Sequence, residues 1–264
     1  IAGGNSSFQG SQINLAGNSI TSDGEITFLG PVTLQADVVV EASGPILFDG
    51  TVDSQTGAES LTVNSQTGEV RFQSAVGANS PLSEWDVTAA TEIWLASVGD
   101  AAASGVSGNV HMTATDVFIT GSTFHILGNA DCNGITEWSA GTATVRVGGD
   151  LFFREAVDWT GIADLVVDGD LSVEDAATAD RMIASAASMH WHSSLETIAG
   201  PLQLTTQDEL TIDGDLDANA GTILLRINQD GVGNETLVQN GGVVRTDNLS
   251  DLAVSIVVGG TSDL

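Results

Sequence analysis

Apolar and polar residues alternate along most of the chain in short runs, among them EITFLG, VTLQADVVVEA, PILFDGTV, SLTVNSQ, EVRFQSAV, EIWLASV, DVFITG, TVRVGGDLFF, DLVVDGDLSV, ELTIDGDL, TILLRI and AVSIVVGG. The runs are rich in Val, Ile, Thr and Phe and are separated by Gly, Asn, Asp and Ser. Alternation with a period of two sends successive side chains to opposite faces of an extended segment, so the pattern predicts short strands with one face buried. Helical periodicity is nearly absent. The main exception is DAATADRMIASAAS, 175–188, which reads as one short helix or an ordered loop inserted into the pattern.

The runs also repeat. Gly24-Glu-Ile-Thr-Phe28, Gly44-Pro-Ile-Leu-Phe48 and Gly68-Glu-Val-Arg-Phe72 share one template at intervals of 20 and 24 residues. A second template, an acid or His and a Trp before a strand and a Gly corner, occurs from Glu137 and from Asp158, and more loosely from His190. The third copy is displaced by about the length of the 175–188 insert. Gly-Asp-Leu recurs at 149–151, 169–171 and 214–216. Self-similarity at 20–24 residues, with two or three strands per unit, is what a parallel β-helix requires, because equivalent residues of successive coils stack in parallel ladders about 4.8 Å apart. A β-sandwich, the alternative, would show tight hairpin turns and has no reason to repeat at this period. The expected architecture is therefore all-β, one β-helical solenoid over 1–264 with roughly 20–24-residue coils.

Charge narrows the partners. The chain has 264 residues, 35 acidic against 6 basic, for a formal net charge of -29, and every basic residue is Arg. Nucleic acid is excluded as a partner, since phosphate binding depends on displacing counterions with Lys and Arg, and anionic membrane surfaces are disfavoured for the same reason. Divalent cations and a saline setting are compatible with this surface. One cysteine, Cys132, leaves no internal disulfide; in GNADCNGIT it sits among turn formers and reads as incidental. No apolar run is long enough for a transmembrane helix.

The segments GEITFLGPVTLQADVVVEASGPILFDGTVDSQTGAESLTVNSQTGEVRFQSAVG, 24–77, and ILLRINQDGVGNETLVQNGGVVRTDNLSDLAVSIVVGG, 223–260, resemble the repetitive regions of giant secreted bacterial proteins of the filamentous haemagglutinin and autotransporter-adhesin type. The resemblance implies a right-handed parallel β-helix at the bacterial cell surface or in the extracellular matrix, acting as a stalk, filament or adhesin segment. The partners expected are copies of the chain itself or neighbouring repeats of a longer polypeptide; the alternative is a receptor- or glycan-binding adhesin module, with a cell-surface receptor or glycan as its partner. Neither terminal segment reads as a strong cap, so continuation into further coils or self-assembly is expected.

The chemistry-bearing residues are few. Asp213, Asp215 and Asp217 fall at i, i+2 and i+4 of an extended run, so their carboxylates share a face and form the candidate Ca²⁺ site; no cofactor is otherwise required. Asp150, Asp170 and Asp215 are candidates for one corner column, although the spacing to Asp215 is displaced, and Asp168 and Asp213 for another. His190-Trp191-His192 places two imidazoles on one side of a strand, as chelation of a soft divalent metal requires, but with no carboxylate at a clear spacing. His111 and His125 stand alone. Trp85, Trp94, Trp138, Trp159 and Trp191 suit core packing better than a glycan-stacking stripe. The reading is non-enzymatic. The second alternative, a β-helical polysaccharide hydrolase or lyase, needs paired carboxylates or a basic groove, and the six Arg are scattered.

Overall fold

The computed structural model describes residues 4–100, 102–227, 236–250 and 253–258. It is an all-β solenoid of parallel stacked strands with a coil length of roughly 21 residues and, among the described residues, no helix. The ladders run in three columns, one for each face of the coil. The first stacks Ile26–Leu29, Ile46–Phe48 and Val70–Phe72, and continues through Leu195–Thr197 to Leu216–Ala218. The second includes Val32–Leu34, Thr142–Val147, Leu202–Thr206, Ile223–Ile227 and Val254–Val258. Val38–Ala42, Leu61–Ser65, Leu151–Phe153, Leu171–Val173, Met189–Trp191 and Leu210–Ile212 belong to the third. The parallel pairing of segments about one coil apart excludes the sandwich alternative.

Within most of the described strands the inward positions are mainly apolar and closed to solvent, and the outward ones are not. Ile46 and Phe48 are buried while Leu47 between them is partly exposed, and Met189 and Trp191 are buried around His190. The repeated Gly-x-Ile/Val-x-Phe template becomes a stack of rings. Phe8, Phe28, Phe48 and Phe72 lie face to face with centroids 5.1, 4.7 and 4.7 Å apart, and the edge of Trp85 closes the stack at 5.0 Å. The spacing is that of the backbone ladder, so a ring in register with its equivalent makes a stacked contact without further adjustment. Trp85, Trp138, Trp159 and Trp191 are likewise wholly enclosed, as core packing requires. Trp94 is the outward one, stacked on Phe118 at 4.2 Å with the Arg71 guanidinium 4.7 Å from its ring.

The 175–188 segment is not a helix or an inserted loop. Ala177–Ala186 is a strand that runs without interruption from the first face to the second, pairing with Val157–Val167 before it and with Leu195–Thr197 and Leu202–Thr206 after it. Its register slips between Trp159 and Ile162, where the chain turns the corner. Ala177, Ala179, Met182, Ala184 and Ala186 are its inward residues. Ala179 stacks beneath Trp159 and Ala184 beneath Leu165, so the small side chains complement large ones on the preceding coil. Alanine's helix propensity is thus overridden by packing and ladder hydrogen bonds. It follows that Trp191 is not a displaced equivalent of Trp138 and Trp159. Those two are in register on the first face, whereas Trp191 stacks between Val173 and Ile212 on the third.

Cys132 is also better placed than its turn-forming neighbours suggest. Ala130–Trp138 is a strand, and Cys132 sits in the core between Met112 and Phe153. Burial pushes its thiol up to about 12, so it is a small apolar filler without thiolate reactivity.

Gly-Asp-Leu proves to serve two different corners. Gly149-Asp150 and Gly169-Asp170 lie between the second and third faces and stack directly: the Gly169 amide donates to the Gly149 carbonyl at 3.0 Å, and the Asp170 amide to Asp150 Oδ1 at 2.9 Å. The same relay runs upstream, with the Asp150 amide donating to Asn129 Oδ1 and the Asn129 amide to Asn109 Oδ1. Each Asn or Asp side chain caps the backbone of the next coil. Gly214-Asp215 instead joins the third face to the first, so Asp215 does not stack with Asp150 and Asp170. For the same reason Asp168, which follows a second-face strand, does not correspond to Asp213, which follows a third-face one. The glycine at the stacked corner is demanded by space rather than by an unusual φ: a Cβ on Gly169 would lie 2.2 Å from Asp150 Oδ1 and 2.8 Å from the Gly149 carbonyl carbon.

Candidate metal centre

The coil period brings together residues that are far apart along the chain. Because Met189 and Trp191 point inward, His190 points outward, and His192 is the first residue of the following corner. One coil later Leu210–Ile212 stacks on the same ladder and Asp213 occupies the corner position under His192. Backbone hydrogen bonds fix this column: His192 N–H donates to Val173 O at 3.0 Å, Asp213 N–H to Trp191 O at 2.9 Å, and Asn240 N–H to Ile212 O at 3.0 Å.

The side chains converge on one oxygen. Asp213 Oδ2 lies 2.8 Å from His190 Nε2 and 3.6 Å from His192 Nδ1. The two imidazoles are stacked with centroids 3.4 Å apart and planes 27° from parallel. Asn240 Nδ2 donates to the other carboxylate oxygen, Asp213 Oδ1, at 2.7 Å, and so orients the carboxylate from the coil beyond. The hydrogen bond from Asn240, then that from His190, holds the Asp213 carboxyl below the usual carboxylate range. Each of the three side chains is a little over a third or slightly less exposed, at 38%, 39% and 30% for His190, His192 and Asp213. Among the described residues this is the one group of three or more His, Cys, Asp or Glu whose ligand atoms lie within 4.8 Å of one another.

The neighbouring charges are committed elsewhere. Glu174, above His192 in the corner column, accepts from Arg154 Nη1 at 2.7 Å. Arg154 in turn forks onto Asp131, with both nitrogen–oxygen distances 3.0 Å. On the strand beside the site, Glu209 accepts from Thr211 Oγ1 at 2.8 Å.

The Asp213, Asp215 and Asp217 carboxylates do not gather around one point. Asp213 turns to the histidines. Asp215 Oδ1 accepts the Val243 amide at 2.8 Å, capping the next coil as Asp150 does at its own corner. Asp217 Oδ2 pairs with Arg245 Nε at 2.6 Å, with Arg245 Nη1 4.0 Å from Asp215 Oδ2. Hydrogen bonding to Asp217 chiefly, and the Asp217 charge next, raise the Arg245 pKa. The other two histidines stand apart from this group: His111 bonds to Thr113 Oγ1 at 3.0 Å with Asp131 4.0 Å away, and His125 Nδ1 is 3.3 Å from the Asp100 carbonyl.

Reasoning along one strand linked Asp213 to its i+2 and i+4 neighbours and left the histidine pair without a carboxylate. In a solenoid the neighbour that matters is one coil away, and His190 and Asp213 are 23 residues apart. That spacing, read against the repeat, was the available signal.

Comparison of the chain with family models, with curated proteins and with solved structures returns no match. The class defined by the fold is that of the parallel β-solenoids. What this solenoid does has therefore to be argued from its own surface and ends.

Proposed function

We propose that the chain is a non-enzymatic, secreted structural segment of a bacterial cell surface or extracellular matrix, a stalk, filament or adhesin segment whose coils continue end-on into further coils. The observation that supports this reading most is at the last described ladder. Val254, Ile256 and Val258 stand in register with Ile223, Leu225 and Ile227, which are wholly buried. They are nevertheless 41%, 47% and 54% exposed. Among the described residues nothing covers this part of the core column, and the outer edge of the strand is the kind of template that pairs with another strand. The sides of the rod are different. With a net charge of -29 and no Lys, they repel one another and oppose lateral clumping. End-on association with a second copy or with adjoining repeats buries the apolar column while keeping the acidic sides in solvent.

Sedimentation velocity over a range of concentrations tests this. The expected result is growth of elongated species with concentration, suppressed by Ile256→Asp. A compact monomer at every concentration, or growth that the substitution leaves untouched, contradicts end-on assembly.

A further inference from the structure

The geometry points to a binding site for a borderline first-row divalent ion, of which Zn²⁺ is the representative, formed by His190 Nε2, His192 Nδ1 and Asp213 Oδ2. In a tetrahedral site with metal–ligand bonds of about 2.0–2.1 Å, neighbouring ligand atoms are about 3.3 Å apart. The two nitrogen–oxygen separations here, 2.8 and 3.6 Å, lie on either side of that value. All three donor atoms lie within 4.8 Å of one another, so χ rotations of the exposed side chains that also turn the two stacked imidazole planes toward a common point bring them into place, and the ion replaces the hydrogen now shared between His190 and Asp213. Two imidazole nitrogens and one carboxylate oxygen are a donor set for Zn²⁺, Ni²⁺, Co²⁺ or Cu²⁺, while Ca²⁺ takes six to eight oxygens. Asn240, bonded to the free carboxylate oxygen, supplies the outer-sphere anchor that metal-binding carboxylates ordinarily have. Coordination positions on the solvent side stay open to water.

The site has a structural consequence, because its ligands come from two successive coils. An ion bound there clips the Met189–Trp191 coil to the Leu210–Ile212 coil. Glu174 is held by Arg154 and Glu209 by Thr211, so neither competes for the ion in the present arrangement. The acidic surface as a whole raises the local cation concentration.

Isothermal titration of the tag-free chain with Zn²⁺ tests the assignment, with Ca²⁺ as the contrasting ion. The expected result is one saturable Zn²⁺ site per chain that excess Ca²⁺ does not displace, and a rise in the thermal unfolding midpoint with bound ion. His190→Gln, His192→Gln and Asp213→Asn should each weaken binding at least about tenfold, since loss of an outer-sphere partner alone costs roughly 10–100-fold. The double variant His111→Gln/His125→Gln should bind as the parent does. Ring ¹⁵N resonances of the parent give a reading that requires no substitution: Zn²⁺ should shift those of His190 and His192 and leave those of His111 and His125 in place. Absence of saturable binding, equal displacement by Ca²⁺, or shifts centred on His111 or His125 would overturn the site.

Discussion

Phe48 is where the packing argument is most exposed to test. Its ring is wholly buried and is sandwiched at 4.7 Å by Phe28 on one side and by Phe72 on the other. Phe48→Ala removes a buried aromatic and leaves a gap that the flanking rings, tied to their own ladders, fill only in part. Truncations of this kind cost ~3–5 kcal/mol, and two stacked contacts contribute roughly 0.5–1.5 kcal/mol each to a loss toward the upper end of that range. Phe48→Leu keeps most of the volume and should cost about 1–2 kcal/mol. Because each coil touches only its neighbours, the damage should also be local. Hydrogen exchange should show protection falling at Ile26–Leu29, Ile46–Phe48 and Val70–Phe72, while Ile223–Ile227, far along the rod, keeps its own. Denaturant unfolding followed by exchange mass spectrometry measures both. A loss below about 1 kcal/mol for the alanine variant, or an equal loss of protection at the distant strand, would refute the stacked-core reasoning.

Other expectations follow from the same architecture. Glu59 is nearly enclosed, and hydrogen bonds from Ser54 first, then from the Thr56 amide and hydroxyl, lower its pKa from 4.5 to about 2. Its folded-state stabilisation is therefore complete above about pH 4.5 and is lost as the pH falls toward 2. The full shift corresponds to ~3 kcal/mol and, discounted for solvent at this outer corner, to roughly 1–2 kcal/mol. Acid titration of stability should be shallower for Glu59→Gln in that window, and a parallel titration would count against the role. Glu137 and Asp158 are ladder neighbours on the outside of the first face. At a ladder spacing of about 5 Å this like-charged pair costs on the order of 1 kcal/mol in water, so added NaCl should raise the unfolding midpoint. A midpoint that falls or stays level with salt would show that other charges outweigh this pair. Gly169→Ala puts a methyl into the Asp150 carboxylate and the Gly149 backbone, and should cost about 1–3 kcal/mol in thermal unfolding. Gly17→Ala, where a Cβ meets nothing within 4 Å, is the control.

The fold was legible because the repeat is written in the inward residues. The spacing of Phe28, Phe48 and Phe72 is the coil, and the ring stack follows from it directly. The 175–188 segment was not legible, because alanine is ambiguous: its alternation is real, but its meaning depends on Trp159 and Leu165 on the preceding coil. Gly-Asp-Leu misled in a related way. Any tight corner needs a residue without a side chain, a capping carboxylate and an apolar return to the core, so the same tripeptide marks two corners that never meet. The histidine pair was visible and its carboxylate was not, since the partner lies across the ladder rather than along the strand. The second segment resembling secreted repeats, 223–260, lies partly outside the described residues, and its described part supplies the exposed apolar strand.

The proposed role is that of a structural element outside the cell. Antibody labelling of intact producing cells, with and without brief protease treatment, tests it most directly. The chain is expected to be labelled on the unbroken cell or in the surrounding matrix, in extended arrays, and to be lost on proteolysis. Labelling that appears only after the cells are opened would contradict it.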